Sequence, residues 1–251
     1  MKVVIFCGGQ GTRLREETEI RPKPMVTVGG KPILWHIMKI YDYYGFKEFV
    51  LCLGYKGEVI KEYFNAKNPD VPKDWVVTPA DTGEKAEKGA RLKKIQKYIT
   101  GDTFMVTYGD GVANVDIAKL LDFHASRGKL ATMTGVHPRS SFGEVRFDKD
   151  GSVTQFIEKP QFSAETVNGG FFVLNTKIFD YLKDDDLEDK DKLDFEEGVL
   201  TELVKNGQAG GDRQVMVYKH DGWWACMDTY RDMLYLNDLW NKKQAPWKVW
   251  K

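Results

Sequence analysis

The sequence predicts an α/β fold: a single-domain, Rossmann-like mixed α/β/α sandwich over residues 1–251 with a mainly parallel central sheet. Three observations carry this expectation. Val3 to Phe6 is a continuous β-branched and aromatic run, the pattern of a strand buried on both faces of a parallel sheet. Strand-like runs then alternate with segments of helical period through the first half of the chain, the order that builds α/β layers. At 251 residues the chain is long enough to bury a sizeable core in one domain.

The elements follow in order. Behind Pro32, which suits a first helical turn, Ile33, Leu34, Ile37, Met38, Ile40 and Tyr41 recur at helical spacing. Residues 48–53 read as a second strand, 58–64 as a helix, 75–78 as a third strand and 103–108 as a fourth. Segment 116–127 is an amphipathic helix with Ile117, Leu120, Leu121 and His124 on one face. Closely spaced strands are expected at 129–137, 144–148 and 153–157, with a turn at Lys149-Asp150-Gly151, and another at 171–174. Helices are expected at 177–182 and 195–205, a late strand at 215–220 and a C-terminal helix at 229–240. The acidic stretch 184–191 reads as a solvated loop. There is no internal repeat.

The first strand runs straight into Gly8, Gly9 and Gly11, so the backbone can turn with positive φ and bring its N–H groups close to an anion. Arg13 adds a forked cation. A strand end carrying such a loop is where open α/β sheets bind ligands, and the loop reads as a phosphate cradle. Leu14 occupies the last slot of a G-x-G-x-x-G fingerprint, which argues against a dinucleotide site, and no Gly-Lys-Ser/Thr run closes a Walker loop. A plain connecting turn is the bland alternative. Pro22 and Pro24 bracket Lys23 and are expected to hold it on extended backbone, within reach of the same phosphates.

Composition bounds the partners. Lys plus Arg and Asp plus Glu both number 37, so no global basic field attracts nucleic acid or a membrane surface. Phosphate binding must come from local constellations. Cys7, Cys52 and Cys226 are odd in number and far apart, without metal-ligand spacing, which argues against a disulfide framework. No long apolar run and no leader pattern is present, and a cytoplasmic location is expected.

Asp110 is the first candidate for chemistry. It follows an apolar strand directly and is flanked by Gly109 and Gly111, which leaves its carboxylate bare at the strand end. Hard divalent cations such as Mg²⁺ take oxygen ligands of this kind. An Asp-Gly turn is the structural alternative.

In combination the motifs become distinctive. Gly8-Gly9-x-Gly11-Thr12-Arg13-Leu14, Pro22-Lys23-Pro24-Met25 and Gly30-Lys31-Pro32-Ile33 resemble the signature of the sugar-1-phosphate nucleotidyltransferase family. Tyr108-Gly109-Asp110-Gly111, Glu158-Lys159-Pro160, Asn168-Gly169-Gly170-Phe171-Phe172 and Met227-Asp228-Thr229 tighten the match. Residues 34–39 and 245–248 bring the chain nearest to the branch that joins CTP to α-D-glucose 1-phosphate. The resemblance implies the nucleotidyltransferase type of the sandwich, with a nucleotide-binding half at about 1–128 and a sugar-phosphate-binding half at about 129–251. It implies that Gly8, Gly9, Gly11, Thr12, Arg13, Lys23, Asp81, Thr82, Gly83, Arg91 and Gly109 bind the nucleotide. Glu158, Lys159, Asn168 and Gly169 take the sugar phosphate, and Asp110 and Asp228 hold Mg²⁺ or Mn²⁺. Arg13, Lys23, Asp110, Lys159 and Asp228 form the implied catalytic set. The implied partners are the two small-molecule substrates and, in a homo-oligomer, further copies of the chain.

Several structural alternatives stand beside these roles. Asp228 also suits the cap of the helix that follows it, and Glu158 a strand-end surface carboxylate. Trp223 and Trp224 suit a stack on base or sugar, or core packing. His36, His124 and His137 show no ligand spacing and read as structural. The segment 65–74 is shorter than in the family pattern, where it is implied in subunit contacts and closure near the site. Ala86 stands where the pattern has serine. Other nucleotides (UTP or dTTP), other phosphorylated acceptors and a non-catalytic nucleotide-sugar-binding role are the rival functions.

Overall fold

The computed structural model describes residues 1–65, 67–140, 142–158, 165–183 and 189–251. Its centre is an eight-stranded mixed sheet. Four parallel strands lie side by side in the order Thr103–Tyr108, Lys2–Phe6, Glu48–Leu53, Val76–Asp81. Phe172–Asn175 joins this block antiparallel to Thr103–Tyr108 and then pairs with Ala131–Val136, which carries Val215–His220 in parallel beyond it. The two-residue piece Val167–Asn168 pairs with the end of Ala131–Val136. One sheet therefore runs through both implied halves of the chain.

Side chains of successive strand residues point to opposite faces, and this alternation divides the core in two. Val3, Ile5, Leu51 and Met105 pack with Ile33, Leu34 and Ile37 of the helix Ile33–Tyr43 on one face. Val4, Phe6, Val50 and Val106 pack with Leu92 and Ile95 of the helix Lys88–Ile95 on the other. Each face is covered, so the architecture is a sandwich.

Several elements differ from their sequence expectations. The third strand extends to Val76–Asp81 because it pairs in parallel with Glu48–Leu53 along its whole length. The helix Lys88–Ile95 has no counterpart in the periodicity: its inward face includes Gly89 and Arg91, and its outward face is lysine-rich. Segment 177–182 is a 3-10 turn, Thr176–Tyr181, capped by the side chain of Asn175. The helix expected at 195–205 starts as a π-helical stretch, Phe195–Leu200, and continues as the α-helix Thr201–Gln208. Short strands Gly111–Ala113 and Trp224–Cys226 pair antiparallel at the cleft, too brief to show a period. No helix among the described residues is long and apolar enough to cross a membrane.

The C-terminal segment docks through aromatic packing around His36. This ring is fully buried, its Nε2 lies 2.8 Å from the Val28 carbonyl, and its Nδ1 accepts from Trp247 Nε1 at 3.4 Å. Trp35, Trp240, Trp247 and Trp250 surround it. Burial lowers its pKa to about 4 from the ordinary 6.5. The native state thus keeps the ring neutral while the unfolded chain takes up a proton below its own pKa, so stability present above that value is lost as pH falls towards 4. Unfolding free energy is expected to drop by about 2 kcal/mol between pH 7 and pH 5. Urea denaturation at the two pH values checks this, and equal stabilities would contradict it.

Candidate active site

The four parallel strands end on one edge, with Tyr108 beside Phe6, Phe6 beside Cys52 and Leu53 beside Asp81. The loops that leave these ends line a cleft of about 540 Å³. Gly8, Gly9, Gly11, Thr12 and Arg13 form one wall. Gly8 is required by close approach: a Cβ there would fall 1.8 Å from Arg91 Nη1. Gly11 turns with φ +64°, the left-handed region, and Leu14 N–H closes onto its carbonyl at 3.0 Å. Gly109 passes so near the first strand that a Cβ would lie 2.7 Å from the Phe6 carbonyl oxygen.

Lys23 corrects its expectation in part. Pro22 is extended, but Lys23 opens a single 3-10 turn, Lys23–Met25, in which Pro24 fits the early position that needs no N–H. Its ammonium points at two carboxylates. It donates to Asp110 Oδ2 at 2.7 Å and to Asp228 Oδ1 at 2.5 Å, joining residues from three distant parts of the chain. Arg13 Nη1 reaches the other oxygen of Asp228 at 3.0 Å. Burial works against the Lys23 charge, yet the two carboxylates outweigh it and its pKa is raised. Burial likewise opposes ionisation of Asp228, but Lys23 and Arg13 hold its carboxyl below the usual range. Asp228 does not cap the following helix. Thr229 does so, in a capping box with Asp232, and the Asp228 side chain is left to the cleft.

The segment 81–91 divides by position. Asp81 accepts from Gly83 N–H at 3.1 Å, and Thr82 is buried, donating to the Leu53 carbonyl at 2.6 Å. Neither they nor Gly83 line the cleft, whereas Ala86, Glu87, Lys88 and Arg91 do. Arg91 is buried, with Nη1 donating to Leu53 O and Thr82 Oγ1 and Nη2 donating to Gly8 O and Glu84 O. It ties the glycine loop to segment 82–84.

At the far end, Asn168 and Gly169 line the cleft beside Tyr108 and Trp224. Asn168 Nδ2 donates to the Tyr108 hydroxyl at 2.8 Å, and Trp224 Nε1 donates to the Gly169 carbonyl at 2.8 Å. Trp223 instead stacks on Trp247 with ring centroids 5.1 Å apart. Glu158 is exposed and is not part of the cleft lining, and Lys159 lies outside the described residues. The structure thus brings Arg13, Lys23, Asp110, Asp228, Asn168 and Gly169 together and leaves Asp81, Thr82, Gly83 and Glu158 apart. Trp224, which the sequence left open between a stack on the substrate and core packing, lines the cleft, whereas Lys88, Tyr108 and, behind them, Glu196 have no site role in the sequence reading. Position one residue before Gly109 was the available signal for Tyr108; Lys88 and Glu196 carried none.

Residues 2–238 match the family model described as nucleotidyl transferase. The chain belongs to this nucleotidyltransferase family. It is 44% identical to the glucose-1-phosphate cytidylyltransferase of Salmonella typhimurium over 269 aligned positions that cover both chains completely. It is 43% identical to a probable glucose-1-phosphate cytidylyltransferase of Bacillus subtilis, again over the whole of both chains. Among solved structures it resembles a putative glucose-1-phosphate thymidylyltransferase from Bacillus anthracis, with a TM-score of 0.71 and 18% identity, covering 100% of this chain and 97% of that one. At that identity the likeness speaks for the fold.

Proposed function

We propose that the protein joins CTP and α-D-glucose 1-phosphate to give CDP-glucose and pyrophosphate. The observation that carries this is the convergence of Arg13, Lys23, Asp110 and Asp228 at the mouth of the glycine-loop cleft, in a chain similar from end to end to glucose-1-phosphate cytidylyltransferases. The sugar phosphate is largely dianionic at neutral pH, because the second pKa of a phosphate monoester is about 6. It needs no general base. It needs relief from repulsion as it approaches an anionic nucleotide, and a fixed line of attack.

The chain's own groups supply both. Arg13, now paired with Asp228, and the loop N–H groups are the donors on the triphosphate side and would neutralise its charge. The Lys23 ammonium serves negative charge on either side of it, the two carboxylates or the phosphate oxygens. Lys159 is assigned to the sugar phosphate on the resemblance alone. The oxygen pair of Asp110 and Asp228 already converges on one cation, Lys23, and this hard donor set fits a divalent metal, Mg²⁺ or Mn²⁺, with substrate phosphates completing its shell. When bound, such an ion would neutralise and polarise the α-phosphate.

Base choice is tested by a pyrophosphate-release assay across four nucleoside triphosphates and a panel of sugar 1-phosphates. Cytosine offers an exocyclic amine beside a ring acceptor, where uracil and thymine offer a carbonyl and an N–H. Buried groups placed for one pattern are left unpaired by the other. CTP is expected to exceed UTP by at least roughly tenfold in kcat/KM, about 1.4 kcal/mol of differential transition-state binding. Ala86 in the cleft wall offers no hydroxyl for this discrimination. Comparable turnover of UTP or dTTP would refute the assignment of the base.

A further inference from the structure

Behind the acceptor end of the cleft lies a chain of polar groups that the proposed reaction does not use directly. Glu196 enters it from the π-helical stretch Phe195–Leu200. Its Oε1 accepts from the Tyr108 hydroxyl at 2.6 Å and pairs with Lys88 Nζ at 2.9 Å. Lys88 also lies over the Tyr108 ring, 5.5 Å from its centroid. The Tyr108 oxygen accepts from Asn168 Nδ2, and Asn168 Oδ1 accepts from Gly170 N–H at 2.9 Å. Lys88, Tyr108 and Asn168 line the cleft, but Glu196 stands behind them.

The two ends of this chain have fixed polarity. A carboxylate only accepts, so the Tyr108 hydrogen must point to Glu196 and its lone pairs must face Asn168. A backbone N–H only donates, so the Asn168 carbonyl oxygen must face Gly170. Between these anchors the Asn168 amide has one orientation. By inventory it keeps one N–H and one carbonyl lone pair for ligand hydroxyls. The other Glu196 oxygen, Oε2, is buried with no hydrogen-bond partner among the described residues. Leaving a carboxylate oxygen unsatisfied costs stability, and an apolar residue of similar volume would avoid the cost.

We propose that Glu196 is a positioning residue for acceptor recognition, holding the Tyr108 hydroxyl so that Asn168 presents a single donor–acceptor pattern to the hydroxyl groups of a sugar phosphate. This rests on the activity proposed above. Glu196→Met removes the acceptor while keeping the bulk, Glu196→Gln keeps an acceptor oxygen, and Tyr108→Phe removes the hydroxyl alone. KM for glucose 1-phosphate and for CTP, kcat and the urea midpoint are measured for each, and for the Glu196→Met/Tyr108→Phe pair.

Glu196→Met and Tyr108→Phe are each expected to raise KM for the sugar phosphate about tenfold, with little change in KM for CTP or in kcat. Glu196→Gln restores most of the loss, and the double variant is no worse than either single one, because both act through one hydroxyl. A sugar-phosphate KM within twofold of wild type in folded Glu196→Met overturns the proposal. So do parallel rises in both KM values, or single effects that multiply in the double variant. If Glu196→Met does not fold, Tyr108→Phe decides, and an unchanged sugar-phosphate KM there is equally fatal. A wild-type protein that turns over no sugar 1-phosphate overturns the activity and this assignment with it, whereas an active wild type with unaffected variants overturns this assignment alone.

Discussion

Asp110→Asn is expected to lower kcat by about a thousandfold or more, a loss of about 4 kcal/mol in transition-state stabilisation, while the fold persists. The substitution keeps the shape of the side chain and removes half of the anionic oxygen pair that would hold a divalent ion. The fold has little reason to suffer. Asp110 is partly exposed at a strand end, its backbone carbonyl keeps the bond from Met227 N–H at 2.9 Å, and Lys23 keeps Asp228 as a partner. Steady-state pyrophosphate release at saturating Mg²⁺, beside urea denaturation, makes the comparison. Near-normal turnover with excess Mg²⁺ would remove Asp110 from the metal site.

Arg91→Met is expected to act in the opposite way, on stability first. The guanidinium donates to three backbone carbonyls, Leu53, Gly8 and Glu84, and to the Thr82 hydroxyl, all converging from the ends of different strands. A methionine fills the space but gives up four charge-assisted hydrogen bonds, at a cost of roughly 3 kcal/mol. The Leu53 and Gly8 carbonyls keep the N–H groups of Thr82 and Tyr55 as donors. Arg91→Lys should rescue little, because an ammonium cannot reproduce the fork that holds two loops at once. Nucleotide KM should rise as the glycine loop loosens. Urea denaturation reads the effect. Full stability combined with lost nucleotide binding would instead make Arg91 a direct ligand, as the family resemblance implies.

The contrast between these two residues shows what was legible in the chain. Asp110 could be named because an apolar run ending in Gly-Asp-Gly is a local pattern, and a strand end is a local event. The strands at 48–53 and 103–108 match the structure to the residue for the same reason: each is a continuous run whose burial shows in its composition. The helix Lys88–Ile95 was not legible. Its buried face is made by Gly89, Ala90, Arg91, Leu92 and Ile95, and a buried arginine looks like surface in any hydrophobic pattern.

By itself the sequence determined the alternation of strands and helices, the glycine loop at the first strand end and, through matching motifs, the family. It also determined the lone carboxylate at the fourth strand end, because neighbours along the chain set those features. Only the tertiary structure decided that Lys23 lies between Asp110 and Asp228, that Arg91 faces inward as a tie between loops, and that Glu196 stands behind Tyr108. Those relations join residues separated by 87, 205 and 88 positions in the cases of Lys23 with Asp110, Lys23 with Asp228, and Tyr108 with Glu196. Parallel pairing brings several strand ends to one edge, and the distances between the loops leaving that edge depend on register and packing across the whole sheet.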